Sequence, residues 1–134
     1  AAKRMGLPID RLIIATNAND ILDRTMKSGR YETSGVEATM SPSMDIQVSS
    51  NFERLIFEAA GRDGDMVRRL MAQLSQSGSF TLPEEVATTI RAEFDAGRTG
   101  EDETAETIRA VLDAQAYLLD PHTAVGVSVA AMQR

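Results

Sequence analysis

The sequence contains no cysteine and only one histidine among its 134 residues. The missing cysteine excludes disulfides, thiolate metal ligands and Cys-His catalysis, and it fits a reducing compartment such as the cytoplasm. Glycine-rich loops of the P-loop or dinucleotide type are also absent. These absences remove several common enzyme classes before any motif is considered.

Basic residues are scarce as well, since 14 Lys and Arg stand against 20 Asp and Glu, a net charge of −6. This balance argues against nucleic acid and anionic membranes as partners, because both require a basic face. The longest apolar run is far shorter than the roughly 18–20 residues of a membrane span. The composition, 43% apolar and 25% charged, is that of a globular domain with its own core.

The most informative stretch begins with four apolar residues at 12–15, which predict a short strand buried on both faces. A helix is expected to follow, capped by Asn19 or Asp20 and ended by Gly29. The carboxyl end of a strand beside a helix amino end is where open α/β sheets bind ligands. Asn17, Asn19 and Asp20 would lie at that mouth, although on spacing alone a well-capped connection is the more common interpretation of such a turn.

The remaining chain is predicted to be mainly helical, with about six helices in all and minor strands near Phe80 and residues 30–33. A loop of roughly twenty residues before Asn51 is either functional or a surface crossover. Apolar residues at helical spacing predict two helices in the middle of the chain, from Asn51 (cap Ser50 or Asn51) to Gly61 and from Asp63 to Gly78. A third helix is predicted from a Thr81–Glu84 capping box through Phe94, and the last from Asp120 to Met132. Between them, a helix capped by Thr99 is predicted to run to Leu119 with an apolar stripe facing the core: Ala105, Ile108, Leu112, Ala116 and Leu119.

The last predicted helix has Asp120 as its cap, Pro121 in its first turn and almost no polar side, so it is expected to be covered on most sides.

The lone His122 is interpreted either as a structural hydrogen-bonding group or as a catalytic residue. The acidic cluster at 101–103 is expected to stabilise a helix amino end, with a metal site as the alternative. The segment from Ala1 to Pro8 looks like the tail of a helix.

Three stretches, at residues 14–20, 41–54 and 107–125, together resemble the threonine synthase family of the longer bacterial and fungal type. They contain the sequences Ile-Ala-Thr-Asn-Ala-Asn-Asp, Ser-Pro-Ser-Met-Asp-Ile and Asp-Pro-His-Thr-Ala. The last is also similar to the Glu-Pro-x-x-Ala turn of threonine deaminases. The resemblance implies an α/β, doubly wound enzyme of the tryptophan-synthase-β fold (fold type II) that uses pyridoxal phosphate (PLP) as an electron sink.

The activity that the resemblance implies is conversion of O-phospho-L-homoserine and water into L-threonine and phosphate. Such an enzyme needs a lysine that holds the cofactor and a glycine-rich loop for the cofactor phosphate. Only Lys3 and Lys27 are present, neither in the family's lysine motif, and the phosphate loop is absent. Residues 1–134 are therefore expected to be a partial domain, inactive alone, without covalent PLP, that needs the missing part of the same chain.

The resemblance places Asn17, Asn19 and Asp20 at the cofactor or substrate mouth. It also assigns residues 120–123 (Asp120, Pro121, His122 and Thr123) to a turn that faces the cofactor ring in relatives. Residues 43–45 match a family loop without an assigned role. No catalytic residue and no metal ligand is predicted within the chain. The alternatives are part of another enzyme of this fold, such as threonine deaminase, or a non-catalytic helical module that binds a partner through its exposed apolar surface. A fragment with uncovered core surface is also expected to self-associate.

Overall fold

The computed structural model describes residues 2–133, apart from the side chain of Arg4, and contains six α-helices and four short strands within that range. This confirms the prediction of a mainly helical chain with about six helices. The helices are α1 (Ile21–Ser28), α2 (Ser50–Ala59), α3 (Gly64–Ser77), α4 (Glu84–Glu93), α5 (Glu101–Gln115) and α6 (Pro121–Met132). The strands are β1 (Leu12–Thr16), β2 (Arg30–Glu32), β3 (Ser79–Thr81) and β4 (Phe94–Arg98).

Strand β1 pairs in parallel with β4, in a register that runs from Leu12 opposite Phe94 to Thr16 opposite Arg98. This partner strand was not predicted, because the sequence pattern wrongly extended helix α4 through Phe94. Asp and Gly in this segment favour turns locally, but the backbone pairing with β1 and the packing of α6 outweigh that preference.

Strand β1 is also less buried than predicted. The side chain of Ile13 is 37% exposed, and Leu12 and Ile14 are half-buried. Helices α1 and α6 both pack against β1. Among the described residues nothing covers Ile13 completely, so the prediction of a strand buried on both faces is wrong at this position.

The main core lies between α1, the helices α2 to α4 and the antiparallel pair β2–β3, whose register joins Arg30 to Thr81. The two minor strands are therefore confirmed. Three aromatic rings stack at its centre: Tyr31 lies 4.9 Å from Phe80 and 5.9 Å from Phe52, centroid to centroid. The other buried members are Ile21, Met26, Ile56, Val67, Leu70, Leu82, Val86, Ala87 and Ile90.

Several helix ends follow the local signals. Gly29 and Gly78 end α1 and α3 with φ angles of 75° and 72°, in the left-handed region that favours glycine. The carboxylate of Asp63 accepts a hydrogen bond from the Met66 N–H at 2.9 Å and caps α3. Asp120 caps α6, with Pro121 in the first turn. These predictions are confirmed because each depends on residues within one turn of the helix end.

Other predicted caps are wrong. Helix α4 begins at Glu84 after Pro83, without a side-chain cap from Thr81. Gly100 occupies the cap position of α5, and the Thr99 hydroxyl is instead hydrogen-bonded to the Ser128 hydroxyl at 2.9 Å. Helix α2 is capped by Ser49, one residue before the predicted position.

Helix α1 has Asp20 at its cap position, but the side chains of Asp20 and Asn19 do not accept hydrogen bonds from the first-turn N–H groups as predicted. No side-chain cap hydrogen bond forms there. The carboxylate of Asp20 binds two arginines, and the amide of Asn19 binds the loop before α2. Tertiary partners have replaced the local cap at this helix end.

Helix α5 does not bury the predicted stripe. Thr104 is the only buried residue of the helix, and Leu112 is 42% exposed. Of the five residues predicted to face the core, only Leu119 is buried, and it lies beyond the helix end. Helix α6 buries one face against β1 and α5 but leaves Val127 and Met132 exposed. The expectation of cover on most sides is therefore unmet by the part of the chain that the structure describes.

The predicted leading helix appears, from Ala2 onward, as a single 3₁₀ turn over Lys3–Met5 that is ended by Gly6 at a φ of 93°; Ala1 lies outside the described residues. Across residues 2–133, every helix is too short or too polar to cross a membrane.

Candidate functional site

The carboxyl ends of β1 and β4 form one edge of the parallel pair. Thr16 and Arg98 stand side by side there, and the Thr99 N–H donates to the Thr16 carbonyl at 3.0 Å. Helices α1 and α5 begin within a few residues of this edge. Ligands of open α/β sheets bind at such edges. The strand ends and helix starts lie together here as the sequence predicts, and ligand binding at this edge stays a prediction.

Two asparagines after β1 hold the long loop across this edge. The amide nitrogen of Asn17 lies 2.8 Å from the Thr39 hydroxyl and 2.9 Å from the Ser41 hydroxyl. The amide of Asn19 donates to the Glu37 carbonyl and accepts from the Glu37 N–H, both at 2.9 Å. Asn17 and Asn19 are 1% and 5% exposed. Their polar atoms are therefore engaged by the loop.

The carboxylate of Asp45 closes this network from the loop side. Its Oδ1 accepts from the Asn17 amide at 2.8 Å, the Asn19 amide at 2.9 Å and the Thr39 hydroxyl at 2.7 Å. Its Oδ2 accepts from the Thr39 N–H at 2.9 Å. Burial by itself raises the pKa of Asp45, but the hydrogen bonds from Thr39, Asn17 and Asn19 outweigh it and lower the pKa. Asp45 is therefore an ionised acceptor.

Two further contacts extend the loop toward the amino ends of α5 and α6. The Met40 N–H donates to the Glu101 carboxylate at 2.9 Å. The Ser43 N–H donates to Nε2 of His122 at 3.3 Å. The acidic residue Glu101 thus binds the loop, and across residues 2–133 no cluster of three or more acidic or histidine side chains has the arrangement of a metal site.

Asp20 lies at the same edge, between two arginines. Its carboxylate accepts from Nε of Arg24 at 2.8 Å and from Nη1 of Arg98 at 3.0 Å. The Asp20 side chain is 16% exposed, whereas that of Arg98 is 56% exposed. Asp20 therefore ties the first turn of α1 to the end of β4.

The turn before α6 is held by the Asp120 carboxylate. Its Oδ1 accepts from the His122 N–H at 3.0 Å and from the Thr123 N–H at 3.3 Å, and Oδ2 accepts from the Thr123 hydroxyl. Nδ1 of His122 lies 3.1 Å from Asp120 Oδ1. Because Nε2 accepts from Ser43, we assign the proton of neutral His122 to Nδ1. Pro121 begins the helix.

The loop thus joins the two groups of predicted site residues, since one end binds Asn17 and Asn19 and its 3₁₀ turn Pro42–Met44 meets His122. Whether these residues contact a cofactor or substrate stays a prediction. The roles of Asp45, Thr39 and Glu101 were not predicted from the sequence. Each has a side chain that can form hydrogen bonds, but the partners that join the loop to the rest of the chain are distant in sequence.

We expect the Asp120 carboxyl to titrate with a pKa of about 2, compared with about 3.9 in an unfolded chain. The hydrogen bond from the Thr123 hydroxyl is the main cause, followed by the Thr123 and His122 groups. Because the folded pKa is lowered, the stabilisation is present above about pH 4 and is lost as the pH falls toward 2.

Carbon-detected NMR of the Asp120 side chain would measure this titration. The variant Asp120→Asn keeps a good helix cap and should remove this part of the acid dependence. A carboxyl that titrates near 4 would contradict the hydrogen-bond geometry at this turn.

The two lysines of the chain do not suit a covalently held PLP at this edge. Nζ of Lys27 is paired with the Asp23 carboxylate at 2.7 Å. Lys27 lies in the last turn of α1, about 10 Å along the helix axis from Asp20. Lys3 lies in the 3₁₀ turn that precedes β1. The residues that the structure describes therefore do not fit the cofactor by themselves.

No protein-family model matches the sequence. Threonine synthase from Pseudomonas aeruginosa is 46% identical over 129 residues, which cover 96% of this chain and 28% of that protein. Threonine synthase from Saccharomyces cerevisiae is 46% identical over 140 residues, which cover 94% of this chain and 27% of that protein.

The solved structure of PLP-bound threonine synthase from Brucella melitensis superposes with a TM-score of 0.94 and 63% sequence identity, over 99% of this chain and 29% of that chain. The resemblance seen in the sequence is confirmed. The chain spans about 28% of the length of the curated relatives it matches. Over nearly its whole length it is homologous to one segment of threonine synthases, and its mainly helical structure is that of a segment of an α/β protein.

Proposed function

We propose that these residues are part of a threonine synthase that converts O-phospho-L-homoserine and water into L-threonine and phosphate with PLP. The observation that carries the proposal is the 63% identity and TM-score of 0.94 with a PLP-bound threonine synthase. PLP, when bound, supplies an electron sink for the reaction. The lack of cysteine fits a cytoplasmic site of action.

Within that enzyme, we propose that this chain supplies one wall of the site and not its reactive amine. Asn17, Asn19 and Asp20 shape the end of β1, and residues 120–123 shape the start of α6. No residue of the chain is proposed as a catalytic base or nucleophile. The 134 residues alone are therefore expected to be inactive and to hold no PLP covalently.

The exposed apolar side chains on α5 and α6 support a larger parent protein. Leu112, Val127 and Met132 are 42%, 38% and 59% exposed, and Tyr117 and Leu118 in the connection between the helices are 63% and 69% exposed. Exposed apolar surface of this extent is unfavourable in water. We propose that the remainder of the synthase covers this face, and that the isolated chain self-associates through it.

Phosphate release from O-phospho-L-homoserine by the full-length protein with PLP tests the proposed function. The Lys27→Arg variant is the matched control. We expect it to keep bound PLP and to release phosphate within about twofold of the wild-type rate, because arginine keeps a positive charge beside the buried Asp23 carboxylate and Lys27 does not hold the cofactor.

A full-length, PLP-loaded protein that releases no phosphate would refute the proposal. Ammonia release from threonine instead would identify a threonine deaminase. Loss of the PLP absorbance band in the Lys27→Arg variant would show that this lysine holds the cofactor.

A further inference from the structure

Residues 37–45, here called the edge loop, cross the carboxyl ends of β1 and β4 and contact three separate parts of the chain. These are the turn after β1 through Asn17 and Asn19, the start of α5 through Glu101, and the start of α6 through His122. The first two parts lie at the edge where ligands of this sheet class bind, and the edge loop connects the third to it. The position of the edge loop therefore determines the shape of the proposed site wall.

The contacts of the edge loop are unequal in strength. Glu101 and His122 each accept one backbone N–H, at 2.9 Å and 3.3 Å. Asp45 instead accepts two hydrogen bonds from the side-chain amides of Asn17 and Asn19, outside the loop, and two more from the N–H and hydroxyl of Thr39, within it. Hydrogen bonds to a charged acceptor are about twice as strong as neutral ones. Asp45 is thus the principal anchor of the edge loop.

The hydrogen-bond donors around Asp45 are complementary to a carboxylate in particular. The oxygen of Asn17 accepts from the Asn19 N–H at 2.9 Å, and that of Asn19 accepts from the Glu37 N–H, which directs both amide nitrogens toward Asp45. An amide at position 45 could keep these bonds with its one oxygen, but its nitrogen would then oppose the Thr39 N–H that donates to Oδ2. The network therefore discriminates between Asp and Asn at position 45.

We propose that Asp45 is a positioning residue of the synthase site, which fixes the edge loop across the strand ends through Asn17, Asn19 and Thr39. It has no role in bond making. Through the loop it sets where the 3₁₀ turn Pro42–Met44 meets His122, and hence which nitrogen of His122 accepts and which donates. This inference rests on the proposed function.

The test uses the full-length protein with PLP bound and compares Asp45→Asn with Asp63→Asn. The control variant also replaces a helix-associated carboxylate, but Asp63 caps α3 away from the edge loop and Asn caps equally well. For Asp45→Asn we expect kcat to fall by roughly 10- to 100-fold, as for a misplacement of about 1 Å. KM and PLP content should stay within about twofold of wild type, and Asp63→Asn should change neither constant.

Hydrogen exchange of the peptide that spans the edge loop is measured on the same proteins. Asp45→Asn should speed exchange of the Met40 and Ser43 amides by about tenfold or more, because local opening becomes easier. If Asp45→Asn does not fold, Thr39→Val removes one donor to Asp45 with little change of shape, and Thr39→Ser restores it. We expect the valine variant to show smaller changes in the same direction and the serine variant to show none.

Unchanged kcat in Asp45→Asn would overturn the inference, and so would a fall in kcat without faster exchange of the edge loop. A rise in KM with kcat unchanged would also overturn it, since that would indicate a direct binding role. If the wild-type protein releases no phosphate, the proposed function fails. The exchange measurement then still decides whether Asp45 anchors the loop.

Discussion

Replacement of Phe80 by alanine is expected to lower the free energy of unfolding of this chain by about 3–5 kcal/mol. Phe80 is 3% exposed and lies in β3, and its ring stacks on Tyr31 at 4.9 Å and an interplanar angle of 7°. The substitution removes the ring and leaves a cavity at the junction of the β2–β3 pair and the helices. Urea unfolding followed by circular dichroism at several protein concentrations would measure the change.

The Tyr31→Phe variant tests the hydrogen bonds beside the same aromatic stack. Tyr31→Phe keeps the stack but removes the hydroxyl that donates to the Gln47 carbonyl and accepts from the Ser49 N–H, at 2.9 and 3.1 Å. Because these partners are left unsatisfied, we expect a loss of about 1–3 kcal/mol. Burial raises the pKa of Tyr31, which keeps that hydroxyl protonated and able to donate.

Val48→Ala is the control for an exposed apolar residue, since Val48 is 64% exposed, and it should change stability by less than about 0.5 kcal/mol. A loss below about 1 kcal/mol for Phe80→Ala would contradict the described core.

The second large effect is expected at Gly97, where alanine should destabilise the chain by about 1–3 kcal/mol. A Cβ at Gly97 would lie 2.7 Å from Cγ1 of Val129. Val129 is 0% exposed and its β-branched side chain has little rotamer freedom in a helix. Helix α6 would therefore have to move away from β4, and the amino end of α6 would move with it.

The double variant Gly97→Ala/Val129→Ala tests this explanation directly. The smaller side chain at 129 makes room for the new methyl group. The double variant should therefore lose less stability than the sum of the losses in the two single variants. Gly126→Ala is the matched control on α6, because its Cβ would meet nothing within 4 Å. Alanine there should stabilise the helix by up to about 1 kcal/mol. Strict additivity of the Gly97 and Val129 losses would show that the contact is not the cause.

The helices of this protein could be predicted from the sequence, but their caps could be predicted only in part. Asp63, Gly78 and Asp120 act within one helical turn, and the local pattern identified them. The predictions that Thr99 and Asp20 cap helices were wrong. Thr99 is hydrogen-bonded to Ser128, and Asp20 to Arg24 and Arg98, so most of these partners come from other elements. A hydroxyl or carboxylate can satisfy a local or a distant donor, and only the folded chain selects between them.

Local spacing alone predicted about six helices, the glycines that end two of them and the turn at Asp120. The order of three motifs indicated the threonine synthase family. The tertiary structure alone decided that residues 94–98 pair with β1, because a strand is defined by its partner and Asp-Ala-Gly locally favours a turn. It also decided that Asp45 anchors the edge loop to Asn17 and Asn19. Those hydrogen bonds join residues 26 and 28 positions apart, a separation that no local pattern records.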